Sequence, residues 1–199
     1  MTPRGAAVPQ QAFVLHRYDW SESSLIVDLF TREAGRVVVA AKGAKRPTSG
    51  LRAVLLPFQR IAVSFGRARA ETQAEVHNLR GAEWAGGAPV VGAQGLLAGF
   101  YLNELLMKLL ARDDPHPALW DRYAQALQRL GGANEAATLR GFELALLREL
   151  GLLPDLARVT ALQSHVEPAR RYTLAAEGGG VAAVADASGA LGGAQLVAL

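Results

Sequence analysis

The chain has no cysteine among its 199 residues, which excludes disulfides, thiolate metal sites and thiol nucleophiles together. Its longest apolar stretches, near residues 95–102 and 178–185, fall far short of the roughly 18 residues that a membrane span needs. Residues 1–10 hold one arginine and no apolar core, so they do not read as a secretory leader, and the chain reads as cytoplasmic. Between Gly35 and Gly50 there is no Gly-Lys pair to cradle a nucleotide phosphate, and no Gly-x-Ser-x-Gly elbow occurs. The four histidines, His16, His77, His116 and His165, show no metal-ligand spacing, and no metal site is expected. Asp113 and Asp114 beside His116 could suggest acid–base chemistry, but Pro115 and Pro117 make a solvated turn the better reading. The N-terminal half offers no carboxylate cluster for nuclease metal ions. The sequence therefore reads as that of a binding protein, not an enzyme.

Half of the residues are hydrophobic and a fifth are charged, a balance that builds a folded core. The net charge of +3 is unevenly divided: residues 1–80 hold 12 Lys/Arg and 6 Asp/Glu, whereas residues 81–199 hold 9 and 12. The basic excess thus belongs to the first part alone, as in a polyanion-binding module joined to a more acidic body.

Up to about Arg80 the apolar residues recur with the period of strands. Leu25, Val27 and Leu29 alternate with Ile26, Asp28 and Phe30, and Ile61, Val63 and Phe65 alternate with Arg60, Ala62 and Ser64. Further β-rich runs cover residues 12–18, 36–41 and 71–79. Five short strands with one long connection, residues 43–57, predict a small closed barrel. Residues 81–95, with Gly86, Gly87, Pro89 and Gly92, read as a linker. Beyond it the period becomes helical, with helices expected over residues 96–112, about 119–130 and 134–150, the last stopped by Gly151 and Pro154. Short connections predict a bundle. The last 24 residues contain 14 Gly or Ala, and residues 171–174 and 181–184 can pair as a hairpin within residues 96–199. The closing run, Leu196-Val197-Ala198-Leu199, resembles the start of a helix, as if the C-terminus were incomplete. The expected fold class is mixed α+β: a barrel over residues 1–80, then a helical domain.

The remaining chemistry is a constellation of cations: Arg36, Lys42, Lys45, Arg46 and Arg52, followed by Arg60, Arg67 and Arg69. The group from Lys42 to Arg52 sits on a Gly/Pro/Thr/Ser-rich loop leaving a strand, where cations and backbone amides can follow a phosphate backbone. Such loops beside an exposed sheet face are the geometry of a small-barrel single-strand binder, in which each stacked base adds about 1–3 kcal/mol. Phe13, Phe30 and Phe65 read as core, and Tyr18 and Trp20, at a strand end, are the aromatics placed to reach solvent. An OB-fold RNA-binding adaptor is the alternative, because a cationic groove and stacked bases suit either polymer.

Phe13-Val14-Leu15-His16, Trp20-Ser21-Glu22-Ser23-Ser24-Leu25, Gly35-Arg36, Ala41-Lys42-Gly43-Ala44 and Leu55-Leu56-Pro57-Phe58 resemble the N-terminal barrel of the bacterial recombination mediator family RecO. Tyr101-Leu102-Asn103-Glu104-Leu105-Leu106 and the run from Arg140-Gly141-Phe142 to Leu150-Gly151 extend the likeness into the helical half. The resemblance implies an oligonucleotide/oligosaccharide-binding (OB) fold followed by a helical domain. It also implies binding of single- and double-stranded DNA, annealing of strands coated with single-stranded DNA-binding protein (SSB), and loading of RecA together with RecR. Carried onto this sequence, the DNA-binding cations are Arg36, Lys42, Lys45, Arg46 and Arg52, with Arg67 and Arg69 beside them. Many family members hold zinc with a cysteine cluster after the third helix; lacking cysteine, this chain is expected to bind no zinc. Relatives also continue beyond the position matching Leu199.

The third helix carries two apolar rows. Leu139, Phe142, Leu146 and Leu150 form one, while Leu144 and Leu147 continue a row that begins with Arg140. A guanidinium at the mouth of a second apolar groove suits an acidic peptide ending in an aromatic residue and a carboxylate, which the resemblance supplies as the SSB tail. The other reading is a helix buried on both sides, with Arg140 pairing to a local carboxylate such as Glu143.

Overall fold

The computed structural model describes residues 8–66, 76–86, 91–160, 162–175, 180–184 and 189–198. The chain divides into two compact units, Met1–Phe142 and Glu143–Leu199.

In the first unit, β1 (Gln10–Asp19), β2 (Leu25–Thr31), β3 (Gly35–Ala41), β4 (Arg60–Gly66) and β5 (His77–Trp84) close into a barrel in the order β1-β2-β3-β5-β4. All pairs are antiparallel except β3 with β5, and closure leaves no free edge. The alternation read from the sequence sends Val14, Val27, Leu29, Val37, Val39, Ile61 and Val63 inward as one core. The connection between β3 and β4 contains one helical turn, α1 (Leu51–Val54). It drops Ala44 and Leu55, both fully buried, into the same core. β5 takes the first residues of the stretch read as a linker.

The outward face of β1 and β2 is covered by α2 (Leu96–Leu109) and α3 (Pro117–Leu127). Phe13 meets Trp120 at 5.0 Å and Tyr123 at 5.1 Å between ring centroids, and Phe30 meets Tyr123 at 6.1 Å. A β-bulge between Val14 and His16 leaves Leu15 without a partner on β2. Its carbonyl accepts instead from Asn103 Nδ2 at 2.7 Å, and the Asn103 carbonyl accepts from the Tyr123 hydroxyl. Asn103 is buried and Tyr123 fully so, and this burial raises the Tyr123 phenol well above its ordinary pKa.

The connection from α2 to α3 docks on β3, where the Asp113 amide donates to the Arg36 carbonyl at 2.8 Å. Gly35 permits that approach: its φ is +71°, and a Cβ there would lie 1.8 Å from the Asp114 carbonyl oxygen. The fourth helix, α4 (Glu135–Glu149), begins in this unit.

In the second unit β6 (Arg158–Val159) pairs with β7 (Ser164–His165), and β8 (Arg171–Ala175) lies between β9 (Gly180–Val184) and β10 (Leu191–Gly192). The expected hairpin is β8 with β9, in the register Arg171 to Val184 and Leu174 to Val181. A helix, α5 (Gly193–Ala198), closes the unit. Leu156, Val159, Val166, Tyr172, Val181 and Leu196 form its core.

Candidate nucleic-acid interface

The connection from β3 to β4 is held at several points, so its cations project from a fixed base. Gly43, at φ +72°, turns the chain out of β3, and the Lys45 amide donates to the Ser23 carbonyl at 3.0 Å, tying the loop to the β1–β2 turn. Ala44 and Leu55 plug the barrel. Beside those anchors Lys42, Arg46 and Arg52 are exposed. Lys45 is half-buried, with its ammonium 3.0 Å from Asp19 Oδ2 and 3.1 Å from the Ser21 carbonyl. A cleft of about 410 Å³ is lined by Arg17, Asp19, Leu25, Ala44, Lys45 and Arg52.

The β3–β4 connection thus carries Lys42, Lys45, Arg46 and Arg52 as a cationic ledge, with Lys45 and Arg52 lining its cleft. Arg17 joins it without having been singled out in the sequence. Its signal was available only through register: Arg17, on β1 two residues before Asp19, pairs with Val27 on β2. Its side chain emerges beside Leu55, whose carbonyl accepts from Arg17 Nη1 at 3.4 Å.

Arg36 is placed differently. Its Nε and Nη2 donate to the two carboxylate oxygens of Asp28, each at 2.9 Å, and its Nη1 donates to the carbonyls of Met107 and Leu110 at the end of α2. The hydrogen bonds to Asp28 raise the guanidinium pKa further. A cation on the last carbonyls of a helix also meets the negative end of its dipole. All three nitrogens of Arg36 are engaged within the fold, so it does not stand with the loop cations. Arg67 and Arg69 lie outside the described residues.

The sheet face expected to be open for stacking is closed where Phe13 and Phe30 emerge, because α3 lays Trp120 and Tyr123 over them. Indole Nε1 of Trp120 even donates to the Phe30 carbonyl at 3.0 Å. Aromatics that do reach solvent include Tyr18, 47% exposed, and Trp20, 56%, at the strand end and turn, and Trp84, 64%, at the end of β5.

On α4, Phe142 and Leu146 are buried, Leu144 and Leu147 half-buried, and Arg140 exposed. Of the two rows, the one with Phe142 and Leu146 is the more buried, its ends Leu139 and Leu150 being half-buried. A separate groove of about 590 Å³ lies between α3 and α4, with Arg122, Arg129, Asn134, Thr138 and Gly141 on its walls. The sequence reading did not find it, because it requires knowing how the two helices face each other.

Among the described residues no three His, Cys, Asp or Glu side chains gather as a metal-holding group. The β6–β7 hairpin carries Val159, Ser164 and His165, and the interior beside it is apolar. That donor set does not fit zinc, which takes thiolate, imidazole or carboxylate ligands in a closed tetrahedron. No helix among the described residues is long and apolar enough to cross a membrane.

Residues 6–86 match the family model described as Recombination protein O N terminal, and residues 94–195 match Recombination protein O C terminal. A protein of Polaromonas naphthalenivorans (strain CJ2) named DNA repair protein RecO is 51% identical over 193 residues, covering 96% of this chain and 76% of its own length. The protein of that name from Delftia acidovorans (strain DSM 14801 / SPH-1) is also 51% identical, covering 96% and 75%. That from Variovorax paradoxus (strain S110) is 49% identical, covering 94% and 73%.

Proposed function

The chain belongs to the RecO family, whose members serve DNA repair, and from that premise we propose that it is a non-enzymatic mediator. In this reading it binds single- and double-stranded DNA, anneals SSB-coated complementary strands in the bacterial cytoplasm and, with RecR, helps RecA onto SSB-coated DNA. The observation that supports it is the cationic ledge: Lys42, Arg46 and Arg52 exposed on an anchored loop, with Arg17 and Lys45 around the adjoining cleft.

The ledge works by electrostatics. Phosphates that settle against these cations release their condensed counterions, which supplies free energy without a nucleotide. Neutralising two strands at one surface lowers their mutual repulsion, so complementary bases can meet. The anchors at Ala44, Leu55 and Lys45 hold the loop in shape before DNA arrives, which lowers the entropy cost of binding. SSB is engaged separately, by Arg140 with the half-buried Leu144 and Leu147 on α4, a cation beside apolar surface suited to an acidic, aromatic-ended tail. No zinc enters the reading; the apolar core of the second unit holds that region.

The test is annealing of complementary strands precoated with SSB. The wild-type chain should accelerate it, Lys45→Ala/Arg46→Ala should lose most of the acceleration, and Arg140→Ala should lose SSB binding while keeping affinity for naked DNA. An RNA adaptor would instead bind RNA of equal length at least as tightly as DNA, and competition between the two polymers separates the readings.

A further inference from the structure

The ledge accounts for phosphates but not for bases, and the strand that ends at the ledge has a second cleft on its other side. Successive side chains of a strand point to opposite faces. Arg17 lines the cationic cleft, and the next residue, Tyr18, lines a cavity of about 480 Å³ between the end of β1 and α2. We infer that this second cleft receives an unpaired nucleobase of the strand whose phosphates lie on the ledge. The inference rests on the DNA-binding reading and deepens it, naming single-stranded DNA as the polymer held at this end of the barrel.

The cleft is open, and its lining combines aromatic rings with Met107 and the Arg36 side chain. The Tyr18 ring packs on His16 at 4.4 Å between centroids. From α2, Phe100 is 45% exposed and is backed by Phe58 at 5.0 Å. Phe58 sits there with φ +67°, and Gly99 makes room for it: a Cβ on Gly99 would lie 2.8 Å from the Phe58 ring. The floor is fixed, since Leu15 and Asn103 are buried and their polar groups bond each other and Tyr123. At the rim stand Glu104 and Lys108, paired with each other and largely solvated. The cavity volume lies within the range of about 300–1,000 Å³ common for small-ligand clefts.

A nucleobase fits these features together. Its faces suit rings on either wall, its amino groups suit the Glu104 carboxylate, and the Lys108 ammonium suits a neighbouring phosphate. An apolar peptide would use the walls but would gain nothing from the ledge one residue away. The turn beyond Tyr18 places exposed Trp20 on the same path. A base can enter only if it is unpaired, so the cleft favours single strands over duplex.

The experiment uses the full chain with single-stranded oligonucleotides carrying 2-aminopurine, and duplexes of the same sequence. Binding of the single strand should quench the fluorophore at one or a few positions. Tyr18→Leu should weaken single-strand binding about five-fold or more, leave duplex affinity unchanged and abolish the quenching, while Tyr18→Phe, which keeps the ring, restores all three. Equal loss for single strand and duplex, or wild-type affinity and quenching in a folded Tyr18→Leu protein, would overturn the inference. If Lys45→Ala/Arg46→Ala leaves single-strand affinity at the wild-type value, the DNA-binding reading itself fails. If that variant weakens binding and Tyr18→Leu does not, only the base cleft falls.

Discussion

Two groups of cations leave the same strand of the barrel and come to opposite uses. Arg36, inside β3, meets a carboxylate on β2 and the carbonyl end of α2; its side chain is 14% exposed and that of Asp28 3%. Lys42 and Arg46, a few residues later, stand on a loop that no described helix covers, and both are exposed. The residue type and the local charge density are similar, so neither decides the role. What decides it is where the helices lie. A guanidinium under α2 has a buried carboxylate to neutralise, and removing either partner leaves a charge in low dielectric. A guanidinium on the loop is solvated, and its attraction to a phosphate is limited mainly by salt.

The contrast is broken most severely at Arg36. Arg36→Ala should destabilise the first unit by about 3–5 kcal/mol, because Asp28 is left buried and α2 loses its C-terminal cation; denaturant unfolding reads this directly. Because Arg36 also lines the cleft beside Tyr18, single-strand affinity can fall beyond the loss of folded protein, but the salt slope of the fraction that remains folded should be unchanged. Tyr123→Phe should cost about 1–3 kcal/mol by leaving the Asn103 carbonyl unsatisfied. This phenol also sets an alkaline limit. Its pKa is raised in the folded state, so its contribution is fully present below the unfolded value of about 10 and is lost as the pH rises beyond it. Unfolding curves above pH 10 should fall less steeply for Tyr123→Phe than for the wild type.

At the other end of the comparison, changes on the ledge should touch binding and not folding. Lys45→Ala/Arg46→Ala should leave the unfolding free energy unchanged within about 0.5 kcal/mol. The smallest effect is expected at Asp19, whose carboxylate holds the Lys45 ammonium at 3.0 Å. Asp19→Asn should free that cation and tighten single-strand binding a few-fold at low salt. Weaker binding in Asp19→Asn would mean that Asp19 positions Lys45 for DNA instead of competing with the phosphate.

Much of the barrel was legible because aliphatic residues at every second position leave little choice. Leu25, Val27 and Leu29, or Ile61 and Val63, share one face of a strand and pack inward together. The sequence pattern predicts the fifth strand over residues 71–79, yet β5 is His77–Trp84, and residues 71–75 lie outside the described part. Gly81 and Ala82 resemble a linker in isolation, and they belong to a strand because Ser64 and Val63 on β4 supply their partners. The loop cations were legible for a simpler reason: a Gly/Pro-rich connection exposes its charges. Arg36 was not, because its ligands lie on the neighbouring strand and on a helix end 71 and 74 residues away in sequence. The cover over Phe13 and Phe30 escaped for the same reason, since Trp120 and Tyr123 come from a helix whose docking no local pattern encodes. Phe13 and Phe30 were legible as core residues and are buried, whereas the long-range partners that cover them and that engage Arg36 were not legible.

The most direct test is the salt dependence of single-strand affinity, measured for the wild type, Lys45→Ala/Arg46→Ala and Asp19→Asn under one set of conditions. Each phosphate contact contributes about 0.7 to the log–log slope for single strands. The double variant should therefore be shallower than the wild type by about 1.4 with unchanged stability. An unchanged slope in the double variant, with the protein folded, would contradict the claim that the ledge is where DNA is held.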